Sequence, residues 1–272
     1  MVRRLEPLLA RAILATRSVD TAYRRFDRLR SRAVVRWASD RVLAEFNALA
    51  YERDDVYHPA RAAFRSRLFP WEAAAIRDHF DSPPGRILLG GAGGGREAFA
   101  LAERGYEVVA SEPAPELAAA MATRATTMPL VRAYRAGYED LPQLFPALPH
   151  DEGADVAALG PFTAAVMGWG SFSHLATRAA RLGALRSMAA ATAGPILVSF
   201  LAFGDSGNAD RAGRGDKGTD NFSIFIGRYH PVGAQELDEL AREARLTVVA
   251  LNTDETDSTW PHAILQRTSG TA

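Results

Sequence analysis

The spacing of apolar residues changes about 80 residues into the chain. Before that point apolar residues recur every three or four positions, as over residues 5–14 and 34–46, which is the spacing of a helix with one apolar face. The segment Ser-Pro-Pro-Gly at residues 82–85 then interrupts both helical and strand patterns. We therefore expect a helical N-terminal cap or lid over residues 1–80 and a second domain over residues 81–272.

Short apolar runs alternate with longer amphipathic segments in the second domain, which predicts βαβ units and a parallel sheet. The last two runs are joined by a polar turn at residues 254–259, which favours a hairpin. A segment rich in Gly, Asp, Asn and Arg over residues 203–221 is expected to form a long mobile loop. The predicted strands are 86–89, 107–111, 130–134, 162–167, 196–201, 246–252 and 262–266, and the predicted helices are 96–104, 115–125, 175–191 and 234–244.

A glycine-rich segment at residues 90–95 lies between the first predicted strand and the helix that follows it. Glycine lets the backbone turn tightly and approach a ligand closely, while a helix N-terminus offers free N–H groups. The arrangement suits a nucleotide-type cofactor at the carboxyl edge of a parallel sheet. Two patterns overlap here. Gly93-x-Gly95-x-x-Ala98 agrees with the dinucleotide pattern of NAD enzymes, whereas Gly91-x-Gly93-x-Gly95 begins directly after the strand.

The second pattern, Gly91-x-Gly93-x-Gly95, resembles motif I of the class I S-adenosylmethionine-dependent methyltransferases. This resemblance implies an α/β fold: a Rossmann-like, seven-stranded, mostly parallel sheet with helices on both faces and an antiparallel last strand. It also implies S-adenosylmethionine as cofactor and S-adenosylhomocysteine as its product. The family often has an acidic residue two positions before the first glycine, where this chain has Leu89. An NAD-dependent oxidoreductase remains the alternative for this loop.

Further residues are expected at the cofactor from the same resemblance. Glu112 ends the second strand, 21 residues after Gly91, where a carboxylate accepts hydrogen bonds from both ribose hydroxyls. The segment after the third strand resembles the part of the family that holds the adenine. There Tyr138 is expected beside the ring, with Glu139 or Asp140 reaching its amino group; the alternative is a polar helix start.

The segment Met-Gly-Trp-Gly-Ser-Phe-Ser-His-Leu at residues 167–175 leaves the fourth predicted strand, where motif IV of the family passes the methyl group. It resembles the Gly-Asn-Ser-Phe-x-His-Leu run of small-molecule methyltransferases such as glycine N-methyltransferase, with a Trp inserted and no Asn. Gly168 and Trp169 are therefore expected at the cofactor, Trp169 either by a cation–π contact with the sulfonium or by packing alone. Tyr57 is expected to contact the cofactor from the cap, or to pack between helices.

Methyl transfer from a sulfonium is an in-line displacement, in which the enzyme aligns the acceptor with the methyl group. An oxygen acceptor must also lose a proton, so a base is expected nearby. The candidate bases are His230, which we prefer, and His174 beside the motif IV segment. No metal site is expected. The acidic residues within 203–221 could gather Mg²⁺, but we favour a solvated loop.

Composition excludes several classes of function. There is no cysteine, which excludes disulfides, thiolate metal sites and cysteine nucleophiles. Lys plus Arg and Asp plus Glu are both 32, so the net charge of zero gives no overall attraction to nucleic acid or membrane. No apolar run is long enough to span a membrane, and the N-terminus does not resemble a secretory signal, so a cytoplasmic protein is expected.

Ten arginines lie within residues 1–36, beside only three acidic residues. We interpret this segment as a solvated or partner-facing helix surface that could form a homodimer; the alternative is an arm that binds RNA. No DNA partner is expected, because the chain lacks an Asn/Asp-Pro-Pro-Tyr motif.

The leading hypothesis is a methyltransferase that acts on a small molecule, preferentially at a hydroxyl of a sugar or secondary metabolite. The alternatives are a small amine as acceptor, an RNA methyltransferase, and a non-enzymatic protein that binds a partner through residues 1–50.

Overall fold

A computed structural model describes residues 6–144, 162–202, 220–256 and 259–268. Three helices precede the sheet: α1 (Glu6–Trp37), α2 (Asp40–Glu52) and α3 (Pro70–His79). The other elements are, in chain order, β1 (Arg86–Gly90), α4 (Arg96–Ala102), β2 (Glu107–Glu112), α5 (Pro115–Ala125), β3 (Val131–Arg135), α6 (Leu141–Leu144), β4 (Ala164–Met167), α7 (Arg178–Ala191), β5 (Ile196–Ser199), β6 (Asn221–Ser223), β7 (Gly227–Tyr229), α8 (Ala234–Glu243), β8 (Leu246–Asn252) and β9 (His262–Arg267).

Seven strands form the main sheet, in the order β3-β2-β1-β4-β5-β9-β8. The first five are parallel, and β9 runs antiparallel to both of its neighbours, β5 and β8. The predicted seven-stranded sheet with an antiparallel last strand is therefore confirmed. Strands β2 and β3 are added on one side of β1, and β4 and β5 on the other side. At such a change in strand order a crevice opens, here at the carboxyl ends of β1 and β4.

Both faces of the sheet are covered by helices, as predicted. Strand β1 shows why, because Ile87, Leu88 and Leu89 are all completely buried. Side chains alternate between the faces of a strand. Accordingly Leu88 packs in one apolar cluster with α7 and α8, whereas Ile87 and Leu89 pack in the other with α3 and α4. Continuous apolar runs are typical of parallel strands that are buried on both faces.

The structure changes some predicted boundaries. The predicted helix 175–191 corresponds to α7, Arg178–Ala191, which starts three residues later than predicted, and a 3₁₀ turn, Ser171–His174, precedes it. Helix α7 begins after Thr177, whose hydroxyl accepts a hydrogen bond of 3.0 Å from the N–H of Ala180. A threonine at this position satisfies a free N–H group of the first turn, so the helix starts there.

Sequence patterns did not predict the small hairpin β6–β7. Its strands have three residues each, which is too short to show an alternation of apolar and polar positions. Contacts with the N-terminal helices hold it instead: the N–H of Phe222 donates to Ser31 Oγ at 2.8 Å, and Asn47 bonds the backbone of Arg228. The predicted mobile loop at 203–221 lies outside the described residues, except for Asp220 and Asn221.

Helix α1 exposes a row of large apolar side chains, Val19, Tyr23, Phe26, Leu29 and Trp37. The homodimer expected through the N-terminal helices stays a prediction. None of the helices in the described ranges is long and apolar enough to cross a membrane.

Candidate functional site

A cavity of about 630 Å³ opens at the carboxyl ends of β1 and β4, between the edge of the sheet and helix α2. Pockets of this size enclose small ligands. Most of the residues predicted to bind the cofactor or to act as the base line this cavity: Tyr57, Gly91, Gly93, Glu112, Tyr138, Glu139, Trp169 and His174. Gly95, Gly168 and His230 do not.

The glycine loop has the backbone conformation that its sequence suggests. Gly91, Gly93 and Gly95 have φ angles of 65°, 56° and 89°, in the left-handed region that favours glycine. A Cβ on Gly168 would lie 2.4 Å from the carbonyl oxygen of Gly91, so the ends of β1 and β4 touch through backbone alone. Gly95 and Gly168 thus shape the site without lining it.

Glu112 is buried and holds the loop in place. Its Oε2 accepts a hydrogen bond of 2.7 Å from the N–H of Gly93, and its Oε1 accepts one of 2.9 Å from the N–H of Ala114. Burial raises the pKa of Glu112, and these two donors oppose that rise. A carboxylate can accept about four hydrogen bonds, so Glu112 keeps acceptor capacity for a ligand diol in the cavity.

Tyr138 has a structural contact as well as a place in the lining. Its hydroxyl donates to the carbonyl of Gly90 at 2.9 Å, so the hydroxyl of Ser171, at 2.6 Å, must donate to it. The ring therefore ties the end of β1 to the 3₁₀ turn. Of the two acidic residues that follow, Glu139 lines the cavity, whereas Asp140 accepts a hydrogen bond of 2.8 Å from the N–H of Gly137.

An aromatic wall closes one side of the cavity. The ring of Tyr57 stacks on Trp169, with 6.1 Å between the ring centroids and 25° between the planes. Phe69 and Trp260 contact Trp169 edge-on, at 5.0 and 5.2 Å. The indole N–H of Trp169 is buried and has no hydrogen-bond partner within the described ranges. Trp169 and Tyr57 therefore both pack and line the cavity.

His174 is held between the cap and the sheet. Its Nδ1 lies 2.8 Å from the carbonyl oxygen of Arg228, which can only accept, so Nδ1 carries a proton. Burial lowers the pKa of His174, although this hydrogen bond opposes the effect, so the ring is neutral at pH 7. Its Nε2 must then accept the hydrogen bond of 2.6 Å from the hydroxyl of Tyr51. A neutral imidazole with an accepting nitrogen at a cavity can take up a proton.

His230 lies in a different environment. Its Nδ1 bonds Asp220 and its Nε2 bonds Glu236, both at 3.0 Å. Burial alone would lower the pKa of His230, but the two carboxylates outweigh burial and the pKa is raised. An imidazolium that donates from both nitrogens has no free nitrogen for a substrate proton. The preference for His230 over His174 as the base therefore has no support in this geometry.

Several polar residues of the lining were not predicted from the sequence, among them Tyr51, Arg96 and Glu97. Arg96 and Glu97 directly follow the glycine loop, and this position in the sequence indicates a place at the cavity. Tyr51 has no comparable signal, because its place at the site depends on a contact with His174, 123 residues away. Within the described ranges, no group of three or more His, Asp or Glu side chains could hold a metal ion.

No protein-family model matches the chain, and no curated protein matches it. Solved structures do match. CcbJ methyltransferase from Streptomyces caelestis is 16% identical with a TM-score of 0.54, and the match covers 81% of this chain and 98% of that one. The 1,6-didemethyltoxoflavin-N1-methyltransferase of Burkholderia thailandensis, solved with 1,6-didemethyltoxoflavin and S-adenosylhomocysteine bound, is 21% identical with a TM-score of 0.52, over 84% of this chain and 89% of that one.

A third match is an S-adenosylmethionine-dependent methyltransferase from Methanosarcina mazei, 14% identical with a TM-score of 0.54 over 74% of this chain and 98% of that one. The three proteins and this chain thus agree over most of their lengths. The strand order, the glycine loop between β1 and α4, and these matches together show that the chain has the fold of the class I S-adenosylmethionine-dependent methyltransferases.

Proposed function

We propose that the protein transfers a methyl group from S-adenosylmethionine to a small molecule, preferentially to a hydroxyl group. The observation that carries the proposal is the cavity itself, in which the glycine loop, the buried carboxylate of Glu112 and the aromatic wall meet. A cavity of about 630 Å³ suits small ligands rather than a macromolecular acceptor.

The charge of the lining favours S-adenosylmethionine over NAD. S-adenosylmethionine has a sulfonium and an ammonium group against one carboxylate, whereas NAD has a pyrophosphate. Moreover, the N–H of Gly93 already donates to Glu112, so a pyrophosphate would lose one of its loop donors. The lining has more acidic than basic residues: Asp40, Glu45, Glu97, Glu112 and Glu139 against Arg96 and Arg228.

S-adenosylmethionine supplies the methyl group when it is bound. Glu112 would accept hydrogen bonds from the ribose hydroxyls, Tyr138 and Glu139 would hold the adenine, and Trp169 with Tyr57 would exclude water from the sulfonium. Each of these side chains lines the cavity. The chain's own residues then have two tasks, which are to align the acceptor with the methyl group and to remove its proton.

Tyr51 and His174 are the pair that would take this proton. Tyr51 lines the cavity, and its hydroxyl already donates to Nε2 of His174. As Tyr51 accepts a proton from an acceptor hydroxyl, it passes its own proton to Nε2, and the resulting imidazolium keeps its Nδ1 hydrogen bond to the carbonyl of Arg228. A base placed in this way favours an oxygen acceptor. An amine acceptor that arrives unprotonated needs no such pair, and amine methylation is the second candidate.

The test is calorimetric titration of the full chain with S-adenosylmethionine, S-adenosylhomocysteine and NADH. We expect micromolar binding of the first two. In Glu112→Gln the affinity should fall about 10- to 100-fold, the equivalent of the roughly 1.5–3 kcal/mol of a hydrogen bond to a charged group. Glu107→Gln is the matched control, because Glu107 lies at the exposed start of the same strand and pairs with Arg86.

Binding of NADH alone would replace the proposal by an oxidoreductase, and binding of none of the three would favour the non-enzymatic alternative. Acceptors are then screened as matched pairs of alcohol and amine, with S-adenosylhomocysteine release as the readout. Release with the alcohols and not with the amines is expected for a hydroxyl methyltransferase.

A further inference from the structure

A buried ion cluster lies beside the glycine loop. The guanidinium of Arg96 forms two hydrogen bonds with Glu72, at 2.8 and 2.6 Å, and a third with Oε1 of Glu97, at 2.7 Å. The three side chains are only 12%, 3% and 6% exposed, respectively. One positive group therefore faces two buried carboxylates. With both carboxylates ionised, the cluster lacks one positive charge. Burial raises the pKa of Glu72 to about 7 in spite of Arg96, and the charge of Glu97 adds to the rise.

Glu97 has a carboxylate oxygen that can still accept a hydrogen bond. Its Oε1 accepts hydrogen bonds from Arg96 and, at 3.3 Å, from the backbone N–H of Trp169. Its Oε2 has no hydrogen-bond partner among the residues that the structure describes. Of the two carboxylates, Glu97 lines the cavity and Glu72 does not. The Oε2 of Glu97 can therefore accept a hydrogen bond from a ligand in the cavity.

We propose that Glu97 binds the α-ammonium group of the amino-acid part of S-adenosylmethionine, an inference that rests on the proposed function. The ammonium group supplies the positive charge that the cluster lacks and donates to the unpartnered Oε2. The position agrees with this role, because Glu97 follows the last glycine of the loop by two residues and lies on the cofactor side of the cavity. Arg96 and the N–H of Trp169 hold the other oxygen and so fix the carboxylate.

The experiment compares two ligands that differ only in this group: S-adenosylhomocysteine and its deaminated analogue, in which hydrogen replaces the amino group. Both are titrated into the full wild-type chain by calorimetry. We expect S-adenosylhomocysteine to bind about 30-fold more tightly, which corresponds to about 2 kcal/mol at 1.4 kcal/mol per tenfold. This comparison needs no variant, so it does not depend on how a substitution affects folding.

The same two ligands are then titrated into Glu97→Gln. S-adenosylhomocysteine should lose about 30-fold in affinity, whereas the analogue should change by less than about twofold. Glu103→Gln is the control for general charge: Glu103 is exposed at the C-terminal end of α4, the helix that carries Glu97, and does not line the cavity, so both affinities should stay unchanged.

Equal affinity of the wild type for the two ligands would overturn the inference, and so would equal losses for both ligands in Glu97→Gln. Either result leaves the proposed function standing. Failure of the wild type to bind S-adenosylhomocysteine at all would instead remove the proposed function together with the inference.

Discussion

Gly94→Ala tests whether the cap rests on the glycine loop. The backbone of Gly94 does not have a positive φ, unlike that of Gly93 and Gly95, so alanine can adopt its conformation. The added methyl group, however, would lie 1.9 Å from the carbonyl oxygen of Tyr57 and 2.6 Å from Cδ of Pro59. Ordinary contact begins at 3.4 Å, so the cap backbone at Tyr57 must move away by about 1.5 Å.

This displacement should affect both stability and binding. Overpacking of a well-packed contact costs about 1–3 kcal/mol. For a chain of this size each kcal/mol lowers the melting temperature by about 2–4 °C. The ring of Tyr57 moves with its backbone and loses its stacking on Trp169, so the affinity for S-adenosylhomocysteine should fall roughly 10- to 100-fold, since a displacement of about 1 Å can cost that much.

Urea unfolding and calorimetric titration measure the two effects. Gly183→Ala is the matched control, because a Cβ at Gly183, within helix α7, has no atom within 4 Å. Alanine there should stabilise the protein by about 0.5–1 kcal/mol and leave binding unchanged. A Gly94→Ala variant that unfolds and binds like the wild type would refute the contact between Tyr57 and the loop.

Two further predictions concern histidines. His174→Asn keeps a donor for the backbone carbonyl and removes Nε2, and Tyr51→Phe removes the hydroxyl; either should slow methylation of a hydroxyl about 100-fold with unchanged cofactor affinity. Because burial lowers the pKa of His174, the wild-type rate should rise with pH through a value below 6.5 and then stay level, and His174→Asn should lack this rise. Unchanged rates in both variants would contradict the role of the pair. The pKa of His230 is raised in the folded protein. The two hydrogen bonds of its imidazolium therefore stabilise the fold fully below the unfolded-state pKa of about 6.5, and this stabilisation is lost as pH rises through the folded-state pKa. His230→Gln should therefore cost about 2 kcal/mol of unfolding free energy at pH 6 and less at pH 9, and a cost independent of pH would argue against the bonds to Asp220 and Glu236.

The features that the sequence predicted correctly are those with a local cause. The continuous apolar run of Ile87, Leu88 and Leu89 indicates a strand buried on both faces, and the glycines after it indicate a turn that other residues cannot form. Each of these signals lies within a few residues of the element that it predicts. The place of Glu112 at the cavity belongs to this class as well, because it ends β2, whose carboxyl end lies beside that of β1; its bond to a ribose stays a prediction.

The relative roles of the two histidines could not be predicted in this way. His230 bonds Asp220, directly before β6, and Glu236, in α8, which lie 10 and 6 residues away in the chain, so its two partners come from different elements of the folded structure. His174 depends on Tyr51 and on the backbone of Arg228, which are still farther away. A histidine becomes a donor or an acceptor through its partners, and the sequence pattern around each ring does not show them.

Packing and cofactor contact were alternatives for Tyr57 in the sequence; in the structure the ring packs between aromatic side chains and also lines the cavity, and the cofactor contact stays a prediction. The ring of Tyr57 stacks on Trp169, its carbonyl approaches Gly94, and its edge contact with Tyr51 positions the hydroxyl that bonds His174. Most residues proposed for the cofactor follow the ends of successive strands β1 to β4, with Tyr57 added from the cap, whereas the half proposed for the acceptor lies where the cap meets the sheet. It follows that substitutions on α2 should change acceptor preference more than cofactor affinity, and that acceptor chemistry must be inferred from the folded cap.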